Sequence, residues 1–128
     1  MENQTVTITI NQLRTAYETL SRLVGIKLKP KASYWVIRLQ SALESEYKLS
    51  AKAIDALIVE FGNKDENGGA TIDPNNADMV AAVNTAYEPI ASTEVTLNNP
   101  PMISIESFGD DIEIEPYVWA NLAPFLKD

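Results

Sequence analysis

An apolar stripe with helical spacing, which runs through the middle of the chain, is the feature that most limits what this sequence can fold into. Bulky side chains recur there every three or four residues. They are Trp35, Leu39, Leu43, Tyr47, Ile54, Leu57, Ile58 and Phe61. The pattern predicts one helix over residues 31–61, about 45 Å long at about 1.5 Å per residue, which ends at Gly62. Ser50 could cap a second helix, so a kink at this residue is the alternative.

The segment before the long helix predicts a strand and a shorter helix. Val6, Ile8 and Ile10 alternate with threonines, as in a strand with one apolar face. Asn11 is the predicted N-cap of a helix that ends at Gly25. The apolar stripe of this helix consists of Leu13, Ala16, Tyr17, Leu20, Leu23 and Val24. Because the link over residues 26–30 is short, we expect the two helices to pack as an antiparallel pair.

A turn and a third helix are predicted after the long helix. Asn67 and Gly68 form a pair that is typical of tight hairpin turns. Asp73 followed by Pro74 predicts an N-cap and the first helical residue, and the helix is expected to end near Pro89.

The last third of the chain predicts short strands and a short helix. Two segments, residues 95–97 and 103–105, alternate between apolar and polar side chains and predict an antiparallel pair of strands. Ile112 and Ile114 could form a third extended segment, and Pro116 predicts the start of a short C-terminal helix. The predicted fold is a single α+β domain over residues 1–128, predominantly helical, with a small antiparallel β element.

Charge is distributed unevenly along the chain. Residues 1–52 contain eight Lys and Arg against four acids, whereas residues 53–128 contain two against fourteen, and the net charge is −8. This asymmetry predicts an acidic surface formed by the C-terminal part.

The absence of two residue types limits the chemistry. The sequence contains no Cys and no His, which excludes thiolate or imidazole catalysis and the usual ligands of structural zinc. We therefore expect no enzymatic activity, no cofactor and no bound metal. The alternative is a metal-dependent enzyme built on the C-terminal carboxylates, since Asp and Glu can act as acids or bases and can bind Mg²⁺ or Ca²⁺. The N-terminal sequence has no signal-peptide pattern, and no apolar stretch has the length of a membrane span. We expect a protein that is not in a membrane.

The acidic segment, residues 106–115, is the predicted partner-binding surface. Its carboxylates are Glu106, Asp110, Asp111, Glu113 and Glu115. On a strand, the last two would share one face while the isoleucines beside them face the core. The alternative interpretation is a solvated face with no function. A second acidic stretch, which begins at Asp65, lacks the ligand spacing of a calcium loop, and a plain turn is predicted there.

A cluster of cations and aromatic side chains raises the possibility of nucleic-acid binding. Its members are Lys27, Lys29, Lys31, Tyr34, Trp35 and Arg38. The negative net charge works against binding a polyanion, and Trp35 lies on the apolar stripe, which favours a position in the core. Nucleic-acid binding is therefore the weakest of the binding hypotheses.

The order of several short segments resembles a group of small tailed-phage and prophage proteins of unknown function. These segments are residues 29–35 (KPKASYW), 38–39 (RL), 61–62 (FG), 64–68 (KDENG), 94–97 (EVTL) and 122–126 (LAPFL). The resemblance extends over most of the chain and implies a viral origin. It brings no catalytic residues with it.

Together these features predict a phage-encoded protein-interaction module. One hypothesis is an inhibitor that binds a host defence or nucleic-acid-processing factor through the acidic segment, in the host cytoplasm. The alternative is a component of the virion or of tail assembly, which would self-associate. A further alternative is an accessory protein that binds nucleic acid through the basic N-terminal half.

Overall fold

The computed structural model of the chain describes residues 4–109 and 113–127. Its main elements in order are β1 (Thr5–Thr9), α1 (Ile10–Val24), α2 (Pro30–Phe61), β2 (Asn63–Lys64), β3 (Ala70–Thr71), α3 (Ala77–Ala91), β4 (Glu94–Asn98) and α4 (Pro116–Leu122). Two short 3-10 turns, Ile105–Phe108 and Ala123–Phe125, complete the fold. The α+β, predominantly helical class is confirmed. No helix in the described part of the chain is long and apolar enough to cross a membrane.

The long helix α2 is continuous over 32 residues, as predicted, so the chain does not start a second helix at Ser50. The Ser50 hydroxyl donates to the Tyr47 carbonyl at 2.7 Å and accepts from the Arg14 guanidinium at 2.7 Å. Both bonds are compatible with an unbroken helix, because a serine within a helix can bond to the preceding turn. The hydroxyl that could have capped a second helix instead joins α2 to α1.

The helices α1 and α2 form the predicted antiparallel pair. Three contacts fix the register: Arg14 with Ser50, Tyr17 stacked on Tyr47 with ring centroids 4.0 Å apart, and Ser21 bonded to Gln40 at 2.7 Å. As the residue number rises along α1 it falls along α2. Since α1 has only 15 residues, it covers less than half of α2.

Two predicted helix starts are displaced by a few residues. The N-cap of α1 is Thr9, not Asn11: its hydroxyl accepts from the Gln12 N–H while the Gln12 side chain accepts from the Thr9 N–H, which is a capping box. Likewise α3 begins after Asn76, whose side chain accepts from the Met79 N–H. The carboxylate of Asp73 instead accepts from the Asn75 N–H in the preceding turn.

The predicted pairing of the C-terminal strands is wrong. β4 pairs with β1 in antiparallel register, with Val6 opposite Leu97 and Ile8 opposite Val95. Ile103 forms a parallel bridge with Leu126 instead. Strands that are adjacent in sequence are favoured as partners. Here β4 pairs with the distant β1 instead, because this pairing buries the apolar faces of both strands together.

The core lies between α1, the first part of α2, and the C-terminal segment. Its largest fully buried side chains are Leu13, Leu20, Leu23, Val36, Leu39, Leu43, Ile103, Phe108, Leu122 and Phe125. Val6, Val95 and Leu97 of the small sheet pack against this cluster. We call residues 4–50, 100–109 and 113–127, with β4, the core region.

Candidate interaction surfaces

In the described part of the acidic segment the carboxylates are exposed, and residues 113–115 do not form a strand. Glu106 lies in the 3-10 turn, Glu113 and Glu115 are exposed in irregular backbone, and Ile114 is half-buried against the core. Asp110 and Asp111, as well as Ile112, lie outside the described residues. The structure therefore places three of the five predicted partner-binding carboxylates at the surface, and the binding role of this segment stays a prediction.

Basic residues of the N-terminal half lie close to the acidic segment in space. The Lys29 ammonium lies so close to Gly109 that a Cβ at this glycine would collide with it. At the other end of the segment, the Arg22 guanidinium lies over the Tyr117 ring, 6.0 Å from its centroid. The charge asymmetry along the sequence is thus partly cancelled by folding, because the α1–α2 link is brought beside Gly109 and residues 113–115.

The second acidic stretch is a turn whose carboxylate is used by the turn itself. One oxygen of Asp65 accepts from the N–H groups of Asn67 and Gly69, each at 2.9 Å. These bonds satisfy the turn backbone, as in an Asx-turn. Within residues 4–109 and 113–127 there is no group of three or more acidic side chains that could hold a metal ion.

The second half of α2, the β2–β3 hairpin and α3 form a region that we call the outer lobe, residues 51–91. From residue 51 to residue 99, all of which are described, no residue is buried. Val59 of the outer lobe is exposed, and the other larger apolar side chains of this region are half-buried. The half-buried ones are Ile54, Leu57, Ile58, Phe61, Ile72, Met79, Val80, Val83, Tyr87 and Ile90. This region has an apolar seam but lacks the layer that would bury it.

The seam is left uncovered because the two long elements differ in length. α1 begins at Ile10, one turn before Arg14, and Arg14 lies beside Ser50 in this antiparallel pair, so the first turn of α1 lies near Ile54 and α1 does not accompany the last turns of α2. β1 does not cover the seam either, because it starts next to Gln4, which lies with Trp35 in one groove near the start of α2. Only α3 and the hairpin accompany the end of α2, and two helices cannot enclose an apolar interior.

The outer lobe has a strongly acidic rim. It contains two lysines, Lys52 and Lys64, and seven acids, all of them exposed. The acids are Asp55, Glu60, Asp65, Glu66, Asp73, Asp78 and Glu88. An apolar seam with an acidic rim suits a partner that is apolar at its centre and basic at its edges.

A separate groove lies on the core region, around Trp35. The Arg38 guanidinium is 5.1 Å and the Lys127 ammonium 5.9 Å from the centroid of the Trp35 ring. Pro101 and Met102 are among the other residues that line the groove, which has a volume of about 360 Å³. Trp35 also packs against the core, as predicted. Lys127 could not be assigned to this cluster from sequence, because it is far from Trp35 along the chain.

Sequence reasoning missed the outer lobe for an identifiable reason. The stripe of α2 keeps the same helical spacing on both sides of Ser50, and periodicity reports which face is apolar but not whether anything covers it. A weak signal was present: the first helix is half as long as the second, so part of α2 had to lack its partner.

No family model matches the chain, and comparisons with the curated proteins and with the solved structures found no match.

Proposed function

We propose that this chain is a non-enzymatic protein-interaction module that binds its partner through the outer lobe. The observation that carries the proposal is the run of residues 51–99 without a buried side chain. A chain with 45% hydrophobic residues has enough apolar side chains to build a second core, and here they line a seam instead. Apolar surface collected in one place is typical of protein–protein interaction sites.

The geometry favours a helix as the bound element. In the core region, α1 packs along α2 and buries its stripe, with Leu39 and Leu43 fully buried. Beyond about Ile54 the stripe continues without α1, so a helix that extends the line of α1 would cover Leu57, Ile58 and Phe61. An amphipathic helix laid into an apolar groove is a common mode of recognition. The partner helix would thus pack against α2 and α3 as the third helix of this region.

The negative charge of the outer lobe favours a partner helix with basic residues. Because the outer lobe exposes seven acids and only two lysines, a partner helix with basic residues beside its apolar face would be attracted, and an acidic one repelled. Such complementarity mainly raises the association rate and excludes wrong partners. The affinity would come from the apolar side chains, each of which would gain on the order of 1 kcal/mol when the half-buried state becomes fully buried.

The resemblance to phage proteins supports a phage-encoded role in either of two settings. The partner helix could belong to a host defence or nucleic-acid-processing factor, which the module would inhibit, or to another protein of the virion or tail assembly. Quantitative mass spectrometry of purified particles separates the two settings. A stoichiometric amount of the chain would support assembly, and its absence from particles would exclude a structural role in the virion.

The outer lobe can be tested with a model helix. The probe is a peptide of leucine and lysine in helical spacing, and its control has the same spacing with glutamate in place of lysine. Backbone NMR signals of the isotope-labelled protein are followed during titration. We expect the lysine peptide to shift signals of residues 51–91 and the glutamate peptide to leave them unchanged. Shifts confined to residues 106–115 would contradict the outer lobe and favour the acidic segment.

Matched variants test the same surface with natural partners. Val83→Lys places a charge in the seam, and Ile37→Lys places the same charge at an exposed apolar position of the core region. The pull-down is done at both low and high salt. A host protein that the wild type and Ile37→Lys retain, but that Val83→Lys does not, would support the proposal. Retention that Val83→Lys does not change, but that Glu113→Gln with Glu115→Gln abolishes, would overturn it. Circular dichroism confirms that each variant keeps its helices.

A further inference from the structure

The groove around Trp35 has features of a small binding site that is separate from the outer lobe. Trp35 forms one side and carries two cations, Arg38 and Lys127, near its ring. The volume of about 360 Å³ is at the small end of the range for ligand sites. Cations held against an aromatic ring are oriented before a ligand arrives, and this lowers the entropy lost on binding.

The two cations have no carboxylate partner in the described part of the chain. Arg14 and Lys48, by contrast, lie within 4 Å of Glu18 and Glu44 respectively. No hydrogen bond from Arg38 or Lys127 side chains is present among residues 4–109 and 113–127 either. Both side chains are therefore available to an anionic group, and guanidinium and ammonium groups bind carboxylates through strong charge-assisted bonds.

The rest of the groove is apolar and amide-lined. Pro100, Pro101 and Met102 supply apolar atoms, and Asn99 supplies a side-chain amide. Asn99 has a left-handed backbone, with φ of 49°, which asparagine tolerates better than most residues. Its side-chain oxygen accepts from the Gln4 N–H at 2.9 Å and its own N–H donates to the Gln4 carbonyl at 2.7 Å. The amide nitrogen of this side chain is thus held in place and can donate to a ligand.

We propose that this groove binds a carboxylate that stands next to an apolar side chain, as at the C-terminus of a peptide. Arg38 and Lys127 would receive the carboxylate, and Met102 with the prolines would contact the apolar side chain. A nucleic acid fits less well, because the net charge of −8 repels a polyanion. A single charged group next to two cations avoids most of that repulsion, since exposed charges further away are screened by salt.

Fluorescence of Trp35 gives a direct test. Trp119→Phe removes the second tryptophan and keeps a ring beside Phe108, with which Trp119 makes an edge-on contact at 5.1 Å. In this background the protein is titrated with a short peptide that ends in leucine with a free carboxylate, and with the same peptide amidated. We expect a saturable change in fluorescence for the free acid. The amide should bind at least about tenfold more weakly, since hydrogen bonds to charged groups contribute about 1.5–3 kcal/mol each.

A charge-matched pair of double variants assigns the effect to the groove. Arg38→Gln with Lys127→Gln should weaken binding of the free acid by about tenfold or more. Lys27→Gln with Lys31→Gln removes the same charge from exposed positions outside the groove and should leave the affinity within about twofold, because exposed distant charges are screened.

Four outcomes would overturn the assignment. They are equal binding of the acid and the amide, an equal loss with both double variants, tighter binding of inorganic phosphate or an oligothymidylate strand than of the peptide, and no saturable fluorescence change at millimolar peptide. The third outcome would assign the groove to phosphate or nucleic acid instead. The outer lobe plays no part in this test. If the groove does not bind the peptide, the proposed function of the outer lobe is therefore unaffected.

Discussion

The two halves of α2 are one continuous helix with one apolar stripe, yet they have different surroundings. In the first half, Val36, Leu39 and Leu43 are fully buried between α1 and the C-terminal segment. In the second half, Ile54, Leu57 and Ile58 are only half-buried beside α3. A stripe of apolar residues therefore defines a face but not its burial. Whether that face becomes core or binding surface depends on what the rest of the chain can place against it.

The boundary between the two halves is a specific set of contacts. Arg14 donates to Ser50, lies over the Tyr47 ring at 4.6 Å from its centroid, and Tyr47 stacks on Tyr17. These polar and aromatic contacts lie in the first half of α1, at Arg14 and Tyr17, and Ser50 is the last buried residue of α2. The core region thus ends at a defined layer, beyond which α2 continues as a support for the outer lobe.

The largest expected difference between the two halves is the cost of removing an apolar side chain. Leu39→Ala should lower the free energy of unfolding by about 2–5 kcal/mol, because it leaves a cavity in a packed core. Ile58→Ala should cost about 1–2 kcal/mol, since a half-buried side chain loses less transfer free energy and leaves an open space. Urea denaturation of both variants measures the difference. Equal costs would mean that the outer lobe is as well packed as the core region.

The glycines that end the two long helices should respond in opposite directions. A Cβ at Gly62 would lie 2.5 Å from the Ile58 carbonyl oxygen and 2.7 Å from that of Thr71, so Gly62→Ala should destabilise the protein by about 1–3 kcal/mol. At Gly25 the nearest atom would be 3.5 Å away and the backbone is helical. Gly25→Ala should therefore stabilise by about 0.4–1 kcal/mol. Thermal unfolding of both variants reports the signs.

The outcome at Gly62 sharpens the description of the outer lobe. Its seam lacks cover, but the junction between α2 and the hairpin is tightly built. If Gly62→Ala proved neutral, this junction would be loose as well, and the outer lobe would be a poor preformed surface for a partner.

A third comparison tests the boundary itself. Ser50 and Ser21 each donate to a carbonyl of the preceding turn and accept from a side chain of the opposite helix, but Ser50 is buried and Ser21 is exposed. Ser50→Ala should cost about 1 kcal/mol, because the Arg14 donor loses its partner where water has little access. Ser21→Ala should cost less than about 0.5 kcal/mol. A double-mutant cycle with Arg14→Ala isolates the coupling at Ser50, and no measurable coupling would contradict a boundary at this layer.

Most of the fold could be predicted from local patterns in the sequence. The stripe of α2, the short α1–α2 link and the prolines that are the first residues of α2 and α4 identify helices correctly, because these signals act within a few residues. The helix starts were less accurate: at α1 the Thr9–Gln12 capping box took precedence over Asn11, and at α3 Asn76 took precedence over Asp73. Competing cap residues within one turn differ too little in free energy for the sequence to rank them.

The candidate surfaces could be predicted much less well, because they depend on contacts between distant residues. β1 pairs with β4 rather than with a neighbour, Lys127 reaches Trp35, and the link containing Lys29 lies beside Gly109. None of these contacts leaves a periodic signal. The acidic segment was singled out by composition alone, and composition cannot show that folding brings cations to it.

The smallest expected effects concern surface charge, and salt should change the stability in opposite ways at two places. It should remove the stabilisation by an ion pair and weaken the repulsion between the acids of the outer lobe. Glu44 and Lys48 form an exposed ion pair at 3.1 Å on the first half of α2, so Glu44→Gln should cost about 0.3–0.5 kcal/mol at low salt and nothing measurable near 1 M NaCl. The acids of the outer lobe have few cations near them, and their mutual repulsion is screened by the same salt. The wild type should therefore become more stable as NaCl rises, while the effect of Glu44→Gln disappears. Urea midpoints at several salt concentrations measure both trends, and a wild type that is destabilised by NaCl would contradict an acidic outer lobe.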